Sequence, residues 1–413
     1  NLHDFCCRVG IADLFRREPC LTFLSTEGRR SWMKAGLLPA PFHLAESFLF
    51  ANYLNWRDKL QVARGLAALA IRHDERPEES LADWLLRHGQ GLRAINLFWT
   101  PVLTSALNER LDRMDVGHAR KVFVDGFLKN RTGFQLEIPL VPLGELYGLR
   151  LETWLREKDV SVRLTTGVRS IDFDENDDLH GVVLRNGERL PADFVLLAVP
   201  FDRVAGLLPE PAIRRIPDLN KLDEIQSAPI TGVHLWFDRP ICPLDHVATP
   251  GRLIHWVFNH TALQGRAAPG SPRRQRAMET ADDGQYLQIV ISASYDLLGW
   301  DKDGILKLVL EDLESLWPAV KEARLLRSWV VTEHGATFAV RPGIDEIRPR
   351  QRTPIDGLFL AGDWTCTGWP GTMEGAVRSG YLAAQAILAD LECPTQLIAP
   401  DLEPGLLARW LLP

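Results

Sequence analysis

Apolar positions recur at two different spacings along this chain, and the change from one to the other divides it. From about residue 41 to 128, Leu, Phe, Trp and Ala recur at i, i+3 and i+4, which predicts helices, most clearly over 43–71 and 80–113. Ser80, with Asp83 three residues on, has the form of an N-terminal cap. After Pro142 the pattern shifts. Residues 145–158 predict a helix that ends before Val160. The run S-V-R-L-T-T-G-V-R-S-I-D-F (161–173) then alternates like a strand, and G-V-V-L-R-N-G-E-R-L (181–190) predicts a hairpin turning at Asn186-Gly187. Residues 194–199, closed by Pro200, read as a short buried strand. Between about 229 and 340 come the strand-like runs I-T-G-V-H-L-W-F, R-L-I-H-W-V-F, Y-L-Q-I-V-I-S and L-L-R-S-W-V-V-T and one helix over 304–317, so a mixed sheet is expected.

The most informative stretch is 357–390, G-L-F-L-A-G-D-W-T-C-T-G-W-P-G-T-M-E-G-A-V-R-S-G-Y-L-A-A-Q-A-I-L-A-D. A short apolar run bounded by glycine predicts a buried strand, and a loop with two Trp, a Pro and two Gly follows. Thr372 then offers a hydroxyl cap to a helix whose apolar residues, Met373, Ala376, Val377, Gly380, Tyr381, Ala384, Ile387 and Leu388, recur at helical spacing. Gly375, Ala376, Ser379, Gly380, Ala383 and Ala384 leave one face nearly bare, although glycine inside a helix costs about 1 kcal/mol against alanine. Tight packing on the strand is one reason for such a face; close approach of a ligand is the other. Unpaired N–H groups at a helix start suit a phosphate or an electron-rich carbonyl.

Composition narrows the classes. At 413 residues, 46% hydrophobic and 24% charged, the chain is long enough for two domains. Its net charge of -7 excludes a nucleic-acid footprint, which needs a basic stripe. The cluster Arg273, Arg274, Arg276 sits in a Gly/Pro/Ser/Ala-rich stretch, 261–284, that reads as a solvated loop. Six cysteines show neither a C-x-x-C pair nor companion histidines at ligand spacing, so no metal site and no disulfide framework are expected. A reducing cytoplasm fits. No apolar run approaches the 18 or so residues of a membrane span, and there is no signal peptide. The phosphate-binding turn G-x-G-x-x-G does not occur, and the chain begins with Asn1.

The string A-G-D-W-T followed by G-T-M-E-G-A-V-R-S-G resembles the C-terminal FAD-contacting motif of flavin amine oxidases and phytoene-type desaturases. Within that superfamily the chain resembles the squalene-associated FAD-dependent desaturases, or hydroxysqualene dehydroxylases, of bacterial hopanoid and squalene synthesis. The likeness continues in S-L-A-D-W-L-L-R-H-G (80–89), F-W-T-P-V-L-T-S-A-L-N-E (98–109), V-P-L-G-E-L-Y (141–147) and V-H-L-W-F-D-R-P (233–240). It implies an α/β fold: a discontinuous FAD/NAD(P)-binding Rossmann-like domain whose N-terminal βαβ unit is missing here, with an α+β substrate domain of mixed sheet and helices. Residues 1–20 resemble a segment well downstream of the missing fingerprint, so the sequence reads as lacking at least the ~30 residues of that unit. The implied division is a remnant at 1–30, the helical part of the substrate domain at 31–140, and the middle FAD-binding segment at 141–228. The sheet part of the substrate domain follows at 229–341, the last FAD-binding segment at 342–391, and a tail at 392–413.

The resemblance also implies the cofactor and its contacts. FAD would meet the backbone at Val168 with its adenine and the A-V-P turn with its pyrophosphate. Gly362 and Asp363 would meet the ribityl and phosphate part. Gly371, Thr372 and Met373 would hold the flavin, the N–H groups of Thr372 and Met373 pointing at its N1/C2 edge. Glu374 in the first helical turn reads as a structural carboxylate favoured by the helix dipole. The implied reaction removes the hydroxyl of hydroxysqualene, a long-chain isoprenoid, and delivers a hydride to give squalene. Carotenoid-type desaturation uses the same fold. Amine oxidation is a further alternative, but that family usually keeps a lysine near the flavin, and there is no lysine between Lys221 and Lys302. A non-catalytic fragment unable to hold FAD is the reading of another class. No catalytic acid is identifiable; His255 and Asn259 are candidates, each with the alternative of an ordinary bonded polar residue. The helical layer would wall a tunnel for the substrate. Phe48, Phe50 and Leu54, or the tail L-L-A-R-W-L-L-P, could instead meet a membrane surface, which would place the protein peripherally on the inner face of the membrane.

Overall fold

The computed structural model describes residues 1–71, 76, 78–265 and 284–412, so the arginine cluster at Arg273, Arg274 and Arg276 lies outside the described residues. Two compact units share the chain. The first is assembled from Asn1–Ala12, Gly144–Ser227 and Thr337–Asp401, the second from Asp13–Leu143, Ala228–Ala336 and Leu402–Pro413. The sequence pattern ended the N-terminal stretch at residue 30. The observed changeover comes after Ala12, because the residues that follow already pair into the second unit's sheets.

Those early strands are β1 (Phe15–Glu18), β2 (Cys20–Leu24) and β3 (Arg30–Lys34), and β4 (Leu136–Pro139) returns antiparallel to β1. The first unit then contributes β5 (Val168–Phe173), β6 (Leu179–Leu184) and β7 (Arg189–Pro191), an antiparallel three-stranded sheet, and β8 (Val195–Leu197). The expected strand at 161–173 begins only at Val168. Its partner β6 ends at Leu184 opposite Val168, and the bond from Arg185 N–H to Gly167 O closes the ladder, so the residues before it have no strand to meet. The second unit resumes with β9 (Ser227–Phe237), β10 (His246–Ala248), β11 (Trp256–Asn259), β12 (Gln285–Ser292) and β13 (Leu325–Phe338). With β2 and β3 they form a seven-stranded sheet in the order β13-β9-β12-β11-β10-β2-β3. Finally β14 (Leu358–Leu360) lies parallel to β8, with Leu358 opposite Val195.

The alternation read in the sequence sets the faces of the large sheet. Val233, Leu235 and Phe237 of β9 and Leu287, Ile289 and Ile291 of β12 point to one side. Against them packs the Lys302–Leu316 helix, capped by Asp301, which accepts from Gly304 N–H at 2.7 Å, and presenting Ile305, Val309 and Leu313. Each such side chain, fully buried, contributes roughly 1.5–3 kcal/mol. The half-buried face carries His234, Trp236, Tyr286 and Gln288. Trp236 and Tyr286 stack with centroids 4.5 Å apart, and the Tyr286 hydroxyl lies 2.7 Å from His234 Nδ1.

The helical pattern of 43–113 is cut where the chain must turn. Ala45–Leu49 and Trp56–Ile71 are separate helices; Leu81–Arg87 ends before Gly89, whose φ is +69°. Ser80 caps that helix as expected, accepting from Asp83 N–H at 3.2 Å. A last helical run passes from Leu92–Ala94 through a π-helical turn, Ile95–Trp99, into Thr100–Leu107. Trp84, Leu85, Trp99, Leu103 and Leu107 are core residues. Gly65 makes room for Trp99: a Cβ there would lie 2.7 Å from its Cζ2. Phe98 meets Phe123 at 5.6 Å and Phe48 at 5.8 Å. Of the three residues offered as a membrane-facing group, Leu54 is buried, Phe48 belongs to this aromatic cluster, and Phe50 alone is well exposed. Among the described residues no helix is long and apolar enough to cross a membrane, and no group of His, Cys, Asp and Glu is placed to hold a metal ion. All six cysteines are free.

Candidate cofactor site

In the first unit, β14 runs into a loop and then into the Met373–Asp390 helix, as the sequence pattern indicates. The strand is fully buried, and the chain leaves it at Gly362 with φ +138°, a conformation L side chains rarely adopt. A Cβ at Gly362 would sit 2.3 Å from Trp364 Nε1. That indole N–H is committed to Val199 O at 3.0 Å, which ties the A-V-P turn to the A-G-D-W loop. Gly362 N–H in turn donates to Ser379 Oγ at 2.8 Å, so the bare helix face is partly tight packing: Gly375, Ser379 and Ala383 are buried. Gly362→Ala is therefore expected to cost about 3 kcal/mol, from backbone strain plus the lost indole bond. Urea unfolding of the variant checks this.

The helix start is where the site opens. Thr372 Oγ1 accepts from Gly375 N–H at 3.1 Å, and Thr372 O from Ala376 N–H at 3.0 Å. The N–H groups of Thr372, Met373 and Glu374 have no acceptor among the described residues, as the geometry of a helix N-terminus dictates. Gly371 stands beside them with no room for a side chain, a Cβ there meeting Thr337 Cβ at 2.9 Å and Asp363 Oδ2 at 3.2 Å. Burial pushes the Asp363 carboxyl above the usual carboxylate range, against the N–H of Trp364 and the charge of Arg348. Glu374 accepts from Leu2 N–H at 2.7 Å and so anchors the Leu2–Val9 helix.

What holds the loop in shape is a residue that the sequence reading passed over. The side chain of Arg348 is wholly buried and donates to the carbonyls of Asp363 (2.8 Å) and Trp364 (3.3 Å), to Thr365 O, and to Thr367 Oγ1 (3.2 Å). Asp345 takes its remaining arm at 2.7 Å, and the guanidinium lies 4.6 Å from the Phe338 ring centroid. Gln351 adds a bond to Thr365 Oγ1 at 2.9 Å. The available signal was I-R-P-R-Q, polar residues set directly ahead of a buried strand.

The structure thus brings together Gly362, Asp363, Gly371, Thr372 and Met373 with the A-V-P turn. Val168 stands elsewhere in the first unit, opening β5 beside a register shift. The two candidate catalytic residues belong to the second unit. Asn259 is engaged in local structure, its Oδ1 accepting from Ala262 N–H at 3.1 Å and its Nδ2 donating to Cys242 O at 3.3 Å. His255 accepts from Ser292 N–H at Nδ1 (3.0 Å), and burial lowers its pKa to about 4.

The free helix N-terminus, the side-chain-free approach at Gly371 and the rigid loop fit the flavin end of FAD; the residues that fit are those of the flavin side. The family model for flavin containing amine oxidoreductases matches residues 1–388, and the chain belongs to that family. Its cofactor is FAD. Similar proteins include the 15-cis-phytoene desaturase of Solanum lycopersicum, 26% identical over 366 residues, covering 86% of this chain and 60% of that protein. The 15-cis-phytoene desaturase of Synechococcus elongatus is 27% identical over 373 residues, covering 85% and 74%. The chain spans about 60% of the length of the plant relatives it matches. A crystal structure of an oxidoreductase from Methanosarcina mazei superposes with a TM-score of 0.65 at 16% identity, covering 93% of this chain and 85% of that one. That likeness is one of fold, α/β and Rossmann-like.

Proposed function

We propose that this chain is part of an FAD-dependent oxidoreductase acting on a long-chain isoprenoid, and that its reaction is the reductive dehydroxylation of hydroxysqualene to squalene. The observation that supports the isoprenoid reading is the density of packed aromatic rings in the second unit. Phe48, Phe98, Phe123 and Phe127 form one contiguous group, and Phe23 with Tyr53, 6.1 Å apart, forms another beside Trp256. Phe23 and Phe123 are buried within these groups, and a hydrocarbon would meet their half-buried members, Phe48, Tyr53, Phe98, Phe127 and Trp256, with no polar group to desolvate. The names of the desaturase relatives support the substrate class, and the absence of lysine between Lys221 and Lys302 counts against amine oxidation.

The overall change converts R–OH, two electrons and two protons into R–H and water, the electrons coming from an external two-electron reductant. When bound, reduced FAD supplies the hydride. The chain's own part is to exclude water and hold the substrate, with the N–H groups at Thr372 and Met373 meeting the electron-rich edge of the flavin. Full-length protein given hydroxysqualene and reduced flavin should yield squalene by gas chromatography; unchanged hydroxysqualene would overturn the reading. Carotenoid-type desaturation is the second reading, favoured by the relatives' names, and phytoene converted to a longer conjugated polyene by the same preparation would establish it.

We also propose peripheral contact with a lipid surface. Leu37 is 99% exposed, Leu406 81% and Trp410 88%. The tail helix, Leu406–Leu411, sits beside the first of these, because Gly405 N–H donates to Lys129 O at 2.8 Å and Gly405 packs on Ala40. Trp56, also exposed, has Lys59 Nζ 5.4 Å from its ring. The double variant Leu406→Ser, Trp410→Ser should lower co-sedimentation with phospholipid vesicles about tenfold. Unchanged binding would remove the tail from the contact.

A further inference from the structure

A cavity of about 440 Å³ lies in the second unit, walled on one side by the helix of the π-helical turn and on the other by the loop joining β10 to β11. The helical wall is irregular for a physical reason. Pro101 has no N–H to continue the ladder, and the turn before it, Ile95–Trp99, is wound to the wider π geometry, a distortion that recurs at binding sites. Across from it Gly251, at φ +75°, comes so close to the helix that a Cβ would meet Leu97 Cδ2 at 3.0 Å.

Two polar side chains of the loop side line the cavity. Arg252 is held by Asp312 at 2.6 Å, by Ser315 and by Thr26 O at 2.8 Å, and its side chain is only 10% exposed. Its Nε–H is buried without an acceptor among the described residues and, having no accessible surface, does not reach the cavity. Native interiors seldom leave such a group unmatched. His255 is the second. Because Ser292 N–H donates to its Nδ1, the lone pair is there and the ring proton is on Nε2. Burial keeps the ring uncharged at neutral pH, so it can donate a hydrogen bond but is no acid.

The charges of the cavity are already balanced: Asp312 neutralises Arg252, and Asp58 meets Arg93 at 3.0 Å. A phosphate would find no spare positive charge. Leu97 and Pro101 supply apolar wall. We infer that this cavity binds the oxygen of a neutral, hydroxyl-bearing isoprenoid, which accepts from His255 Nε2–H while its hydrocarbon lies on the helix. The inference rests on the isoprenoid reading above and assigns His255 to holding the hydroxyl, not to protonating it.

The test compares farnesol, farnesene and farnesyl diphosphate as probes, titrated calorimetrically into the full-length holoprotein in detergent. Farnesol should bind about tenfold tighter than farnesene, and tighter than the diphosphate. His255→Phe should bring farnesol and farnesene to parity, and His255→Gln, which keeps a donor, should restore part of the difference. Tighter binding of the diphosphate, or a farnesol preference untouched by His255→Phe, overturns the inference. Should the Phe variant not fold, ring-nitrogen NMR of the unaltered protein decides: farnesol must shift the His255 Nε2 resonance with its proton retained, and no shift overturns the inference. Squalene formation without a farnesol preference defeats this subsite alone. A farnesol preference without squalene formation defeats only the dehydroxylation reading.

Discussion

Replacing Arg348 with Met should lower the unfolding free energy by about 3 kcal/mol, the cost of leaving several buried carbonyls without a donor. The carbonyls of Asp363, Trp364 and Thr365 would lose their common donor, and Asp345 its cation. Leaving buried acceptors unpaired costs more than the bonds themselves stabilise. The loop these carbonyls belong to also delivers Gly371 and Thr372, so full-length protein carrying the substitution should purify without flavin absorbance. Arg348→Lys separates charge from shape. It keeps the ion pair's sign but lacks the planar fork that reaches several carbonyls at once, so it should recover less than half of the lost stability. A denaturation midpoint unchanged in Arg348→Met would refute the assignment.

The second large effect belongs to Asn108, at the end of the Thr100–Leu107 helix. Its φ is +52°, which asparagine tolerates far better than most residues, and its side chain works in both directions. Oδ1 accepts from Ala293 N–H at 2.7 Å and Nδ2 donates to Ala228 O at 3.1 Å, so one amide fastens the helical layer to both β9 and the end of β12. Next to it the fully buried Glu109 accepts from the Tyr295 hydroxyl at 2.9 Å. Asn108→Leu should cost about 3 kcal/mol, from strain in the left-handed region together with two backbone groups left unpaired. Asn108→Gly relieves the strain without restoring the bonds and should fall between the two. Equal stability of the Gly and Asn forms, measured in guanidinium, would show that the two bonds contribute nothing.

How far the chain could be read in advance depended on whether a residue's role was local. The β14, loop and helix sequence, the Thr372 and Ser80 caps, and the alternation of β9 and β12 are legible because each depends on neighbours a few positions away. The strands between Phe15 and Lys34 were missed: β1 pairs with the distant β4, and the local hairpin of β2 and β3 joins its sheet only where Phe23 meets Ala248, which no local spacing shows. The run R-L-I-H-W-V-F looks like seven residues of strand, yet pairing starts at Trp256, since Thr249, Arg252 and Ile254 are drawn into the tight loop around Asp312. In the cofactor site the glycines and Thr372 were visible as backbone requirements. Arg348 was not, because its importance lies in carbonyls up to 17 residues away that it alone reaches. Asn259 attracted attention as a polar residue on an apolar strand, and that same setting is why it is consumed by local bonds.

The pairing of β8 with β14 also governs how the protein comes into being. When Val195–Leu197 leaves the ribosome, its partner strand among the described residues has yet to be made, and the whole of β9 to β13 emerges first. Until Leu358–Leu360 arrives, a nascent chain carries an apolar strand with an open edge, the form most prone to join a neighbouring chain. Completion of the first unit is therefore a late event in the making of the chain.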